Sequence, residues 1–288
     1  MPAKDVSIRP VTENRRRFRF GGEIADDIIL ELQLMGLALA TGIMDATTFP
    51  DYHVFVSNQT GNTALLAVGA LNIGGDLVKL QNVGVSLGLF IAGGMILGQM
   101  GNALGPRRRL WLLFTNLLQT TLVCVATGLR WKCATHDGTP GSLVVLSLLA
   151  FASGGQIAVA RTVNVPEITT GMVTSAYIDL LVDPHIFAVE NRSRNRRFFF
   201  ICNLLLGSFI GATAYHYVGA SLSLLLSAIC KSIITMALFT NSDVSVRGTD
   251  SKENKCTVFS MAADGILRSV TADRISDNSF RSVKSAPP

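Results

Sequence analysis

Charge is scarce in this chain where a soluble protein would need it most. Only 16% of the 288 residues are Asp, Glu, Lys or Arg, against 49% hydrophobic. The distribution is more uneven still: residues 1–27 hold 11 charged side chains and residues 241–288 hold 13, leaving 21 for the 213 residues between. Such a middle cannot clothe a water-soluble globule in polar surface, which excludes a soluble enzyme, a secreted scaffold and a fibrous protein. Cysteine is scarce too. The five present form no CxxC pair and no Cys/His cluster, so neither a zinc site nor a disulfide framework is expected, and no cofactor or metal. GxSxG, HExxH, a phosphate-binding loop and carboxylates at catalytic spacing are all missing, so the chain does not read as an enzyme. The N-terminus lacks an apolar core of its own, which leaves the first hydrophobic helix as an uncleaved insertion signal. The formal charge of +5 does not argue for nucleic acid, because the basic residues sit where membrane topology would place them.

What is present is a series of long apolar runs at about Ile28–Thr47, Val83–Leu104, Leu110–Leu129, Ser142–Arg161, Phe198–Tyr217 and Ser221–Phe239. Each has roughly the 20 residues that a hydrocarbon layer of about 30 Å demands. Asn62–Ile73 and Ser175–Ile186 are also apolar, but twelve residues at about 1.5 Å each reach only about 18 Å, the length of a half-helix. The expected fold is an all-α polytopic membrane bundle surrounded by lipid. Residues 1–27 form a polar, basic N-terminus ending in Arg15-Arg16-Arg17-Phe18-Arg19-Phe20, residues 28–240 the membrane domain, and residues 241–288 a serine-rich tail. The tail holds one weakly apolar patch, Val258–Val270, and the basic–serine pairs Arg268-Ser269, Arg274-Ile275-Ser276 and Arg281-Ser282, which a kinase could read but which chance also produces in such tails.

The membrane region reads as two related units, about 28–130 and 141–240. Residues 40–46 match residues 152–158 at an offset of 112, residues 59–62 match 173–176 at 114, and Gly94–Gly98 matches Gly207–Gly211 at 113. Each unit has three long helices and one half-helix. If the half-helices span, there are eight crossings and parallel units; if they enter and leave on one side, there are six and the units are inverted. Six crossings gather Arg107-Arg108-Arg109 and Arg192–Arg197 on one side, which favours that topology with both termini cytoplasmic and the plasma membrane ahead of internal membranes.

The residues that could carry chemistry lie at the breaks. Pro50 closes the first helix, Phe49–Val56 is extended, and Ser57-Asn58-Gln59-Thr60-Gly61-Asn62 opens the first half-helix. Ser, Asn and Thr cap free N–H groups, glycine permits a close turn, and a helix start at mid-membrane offers donors to a polar solute or an anion. The second unit offers Pro166 to Gly171, then Thr174 and Ser175. Candidate ligands for a small polar solute or ion are thus Asp45, Asn58, Thr60, Gly61, Asn62, Thr174, Ser175 and Asp179. The competing reading is a capped break that only shapes the bundle. Asp45 and Asp179 are costly in a bilayer without a partner, proton or cavity. Lys231, inside a long apolar helix, would pair with one of them or snorkel to an interface. His216 reads as interfacial. Gly94, Gly98, Gly207 and Gly211, with Gly84 and Gly88 besides, suit close helix packing. Nothing sets an oligomeric state.

Gly42-Ile43-Met44-Asp45-Ala46, Val54-Phe55-Val56 and Gln59-Thr60-Gly61-Asn62 resemble the YoaK family of integral membrane proteins, described as a domain of unknown function. The family's second motif resembles Val173 to Leu180, where Thr174, Asp179 and Leu180 match. The resemblance covers about residues 28–240 and implies membrane residence and transport, with no defined substrate. Ile157 and Ser175-Ala176 depart from the family pattern, which implies an asymmetric site favouring the first unit. The long basic N-terminus and serine-rich tail resemble a eukaryotic, fungal-type member.

Overall fold

The computed structural model describes residues 28–73, 75, 78–132, 139–163 and 165–238. The basic N-terminus, Val258–Val270 and the basic–serine pairs lie outside the described residues. Among the described residues eight helices follow in order: α1 (Ile28–Tyr52), α2 (Gln59–Ala70), α3 (Leu80–Leu104), α4 (Arg109–Lys132), α5 (Pro140–Thr162), α6 (Val173–Leu181), α7 (Arg192–Tyr217) and α8 (Ala220–Ala237). Six of them are long and apolar enough to cross a bilayer; α2 and α6 are not. Outward faces carry large apolar side chains such as Ile91, Met95, Phe114, Leu117, Phe209 and Ile233, as contact with lipid requires. This is a polytopic helical bundle.

The first helix does not stop at Thr47. It runs to Tyr52 with Pro50 inside its last turn. Proline removes one N–H, but the next turn still closes through the His53 N–H on the Phe49 carbonyl at 2.9 Å. Termination comes at His53, whose left-handed φ of 55° cannot continue a helix.

Backbone contact sets which helices meet. α3 packs along α5 and α1 along α7; α4 lies against α5 and α8, and α1 against α8. At the α1–α7 crossing, a Cβ on Gly42 would strike the Leu204 carbonyl and one on Gly207 the Leu39 carbonyl. The α3–α5 crossing has the same reciprocity, Gly93 on the Phe151 carbonyl and Gly154 on that of Phe90. Gly94 and Gly98 make only ordinary contact, and Gly211 meets the Ile43 backbone. Gly84 and Gly88 face open space, so they pack no helix, contrary to the reading of their spacing.

Ionic clusters hold the two ends of α1. Glu31 is met by Arg192 and, at 2.7 Å, by Arg196, which also reaches Glu167 at 3.4 Å. Asp51 is met by Arg130 at 2.6 Å and by the Tyr215 hydroxyl at 2.7 Å. Twenty residues at about 1.5 Å each separate Glu31 from Asp51 by about 30 Å, the thickness of a hydrocarbon layer. Between these ends the apolar core is divided in two. One cluster contains Leu34, Leu97, Trp111, Val163 and Phe200, the other Met44, Val56, Val123, Leu146 and Leu224. Polar side chains occupy the level between them.

Candidate functional site

The first break is built around Asp45. One carboxylate oxygen accepts from the Val56 N–H at 3.0 Å and the Ser57 N–H at 2.9 Å, and the other from the Ser57 hydroxyl. An ionised carboxylate has about four lone-pair sites, so these three donors leave roughly one. The extended link after α1 is tied down from its other side by Asn62, fully buried in the first turn of α2. Its Oδ1 accepts from the Phe55 N–H at 3.1 Å while its Nδ2 donates to the Phe55 carbonyl at 2.7 Å. Ser86 on α3 donates to that carbonyl at 2.7 Å, and Asn82 donates to the Tyr52 carbonyl at 3.1 Å. Non-helical backbone at membrane depth must find its hydrogen bonds inside the protein, and these residues supply them. Asn62 meets Ser86 near the start of α2, while Gly69 at its end lies beside Val78 and Leu80, where α3 begins. The half-helix therefore runs back beside the first turns of α3, whose start is tied to the end of α1 by Asn82.

The second break contains Ile168, Thr169 and Thr170, all buried. Thr170 holds a left-handed φ of 59°, unfavourable for a β-branched residue, and its buried hydroxyl has no hydrogen-bond partner. Gly171 brings the two breaks together: a Cβ there would lie 3.6 Å from that of Ser57.

Thr41 on α1 stands ten residues from both Glu31 and Asp51, about 15 Å from either, at the middle of the bundle. Gln156 on α5 donates to its hydroxyl at 2.8 Å and accepts from the ammonium of Lys231 on α8. Lys231 is 1% exposed. It pairs with neither Asp45 nor Asp179, and it does not snorkel; Gln156 holds it instead. From this level a cavity of about 20 Å³ extends toward the Glu31 end, lined by Gln156, Gln119, Asn116 and Gln33 among apolar side chains of α1, α4, α5 and α8. Gln119 is 1% exposed, and neither its amide oxygen nor its nitrogen has a partner.

The other expected ligands lie elsewhere. Asn58, Thr60, Thr174, Ser175 and Asp179 are exposed on the outer surface of the two short helices. Asn58 caps α2 by accepting from the Gly61 N–H at 3.4 Å, and Ser175 donates to the Met172 carbonyl. A Cβ on Gly61 would make ordinary contact with Phe55, so close turning does not require glycine there. His216 is exposed near the end of α7. Beyond the membrane-spanning helices, the backbone N–H of His185 and then the Asn191 amide hold the Asp183 carboxyl below its usual range. Sequence reading missed Gln156 and Gln119, and took Thr170 only as part of the stretch Pro166 to Gly171. A buried amide at Gln156 could have been suspected from its place in the second copy of the Asp45 motif, while Gln119 carries no such signal.

The geometry of Asp45, the link and the Asn62 turn belongs to residues 33–237, which match the family described as a protein of unknown function, DUF1275. The chain belongs to this family. The matched region takes in both breaks, Lys231 and every helix whole except α1, of which residues 28–32 fall outside it. No curated protein and no solved structure matches the chain.

Proposed function

We propose that the protein is a permease or channel for a small polar solute or ion, built from two inverted units and inserted with both termini cytoplasmic. The observation that carries this reading is the meeting of two chain breaks, Ser57 against Gly171, inside a bundle whose charged ends stand about 30 Å apart. Interrupted helices at membrane depth are costly, and a protein gains from them where polar backbone and side chains must face a solute. The pairing of two related units is supported by the contacts. Exchanging α1–α4 with α5–α8 turns the α3–α5 pair into α7–α1, α4–α5 into α8–α1, and α2–α3 into α6–α7, all of which occur. The glycine contacts follow the same exchange with Gly93 opposite Gly207, one residue from the register of the sequence match. The orientation follows from charge. Arg192 and Arg196 stand at the Glu31 end, and Leu112, one turn after Arg109, shares a cavity with Leu30, so the basic clusters gather on one side. Kinship with the YoaK family in its fungal form belongs to the same reading.

A scaffold or accessory subunit is the second reading, favoured by one feature: the hydrogen bonds of Asp45 and Asn62 all close on the chain itself. Flux into proteoliposomes decides, using a panel of neutral polar solutes, cations and anions with Asp45→Asn alongside. The transport reading expects a saturable flux that the variant reduces at unchanged folded yield. No flux for any solute removes it; flux that Asp45→Asn leaves intact removes the site at the breaks.

A further inference from the structure

We infer that Lys231, held by Gln156, forms with the Gln119 amide a subsite for a small monovalent inorganic anion at the middle of the membrane domain. The inference deepens the transport reading by naming the class of solute, although binding itself would stand without transport. It starts from an imbalance. Glu31, Asp51 and Asp183 each meet an arginine at the bundle's ends. Lys231 is buried deeper than any of these, and among the described residues no carboxylate pairs with it. An ammonium has three donors, and the Lys231 group uses one, on the uncharged Gln156. Asp45, one turn beyond Thr41 on the facing helix, already takes three donors from Val56 and Ser57. A cation in such surroundings is costly unless a counter-charge joins it.

The second observation is Gln119. Its amide is buried, has no partner, and borders the same cavity as Gln156. An amide left so in a bilayer core costs free energy that a ligand would recover. The cavity, about 20 Å³, admits something the size of one water molecule. Size excludes sugars and amino acids, and the lysine charge opposes cations. A halide or nitrate, which takes hydrogen bonds from the Gln119 N–H groups and balances the ammonium, satisfies both conditions; those of Gln156 are already given to Thr41 and the Leu37 carbonyl.

The test uses the purified full chain in detergent, exchanged into gluconate and titrated with bromide, chloride or nitrate while thermal unfolding is followed. A saturable rise in Tm is expected with these ions and none with sulfate at matched ionic strength, because only a ligand of the folded state shifts the midpoint in this way. Lys231→Met should abolish the response. Should that variant not fold, Gln119→Leu answers the same question, since it breaks no hydrogen bond within the protein; it should weaken bromide binding about ten-fold or more. Lys231→Arg, which keeps the charge, should retain a response. Equal stabilisation by sulfate, or a bromide response that Gln119→Leu leaves unchanged, overturns the inference, as does no response at all, which would mean a cavity filled by water. Bromide binding with no flux of any solute in proteoliposomes would instead remove the transport reading and leave the subsite standing. Flux of a neutral solute or cation with no bromide response would do the reverse.

Discussion

Asn62 and Thr170 hold the two breaks by opposite means. Asn62 pairs both backbone groups of Phe55, so a leucine of similar volume would leave a buried N–H without its partner and weaken the hold on the carbonyl. Asn62→Leu should therefore lower stability by about 2–4 kcal/mol, read from denaturation in detergent. Thr170 carries strain instead. Replacing it with glycine relieves a left-handed β-branched residue and an orphaned hydroxyl, against the extra chain entropy of glycine, for a net gain of about 1 kcal/mol. A variant that gains stability while losing flux would mark the hydroxyl as a ligand. Asp45 and Asn62 were legible in the sequence because polar residues beside a broken apolar run have few other uses. Thr60 and Thr174 were misread for a geometric reason. Each lies two residues before a buried position, Asn62 and Ala176, and two residues turn a helix by about 200°, onto the opposite face. Which face points inward is decided by packing, on which a short polar segment carries no signal.

Among the elements, the six long helices were legible because length and hydrophobicity alone define a span, whereas their ends were less so: Pro50 reads as a stop yet lies within α1. Glycine spacing likewise told which helix would pack closely but not which of two neighbours would do so. Gly93 and Gly94 are adjacent, and only Gly93 lies on a facing carbonyl. Gly93→Val and Gly207→Val should then prevent the α3–α5 and α1–α7 crossings from closing, with loss of folded protein on size-exclusion chromatography. Gly84→Ala, which meets nothing, should be neutral or gain up to about 1 kcal/mol from helix propensity. Equal damage from all three would mean that these crossings do not govern assembly.

For the whole molecule, the decisive quantity is the number of crossings. The proposed topology, with α2 returning to the side from which it entered, puts Arg108 and Glu190, both exposed, on one face of the membrane and Asn72 on the other. In a background freed of native cysteines, Arg108→Cys and Glu190→Cys should label from the same side and Asn72→Cys from the opposite one. Labelling of Arg108→Cys and Glu190→Cys from opposite sides would require α2 and α6 to span.

The ionic clusters at the two ends of α1 also fix how the protein answers its lipid. Glu31 binds α1 to α7, and Asp51 binds it to α4 and α7, so α1 is braced at both ends and cannot tilt alone. In a bilayer much thicker than about 30 Å, the charged ends would be drawn into hydrocarbon unless the whole bundle deformed or the lipid thinned around it, at a fraction of a kcal/mol per Å. Acyl-chain length thus becomes a mechanical input to the polar layer at the centre, and a series of lipids of graded length would tune the protein without touching a residue.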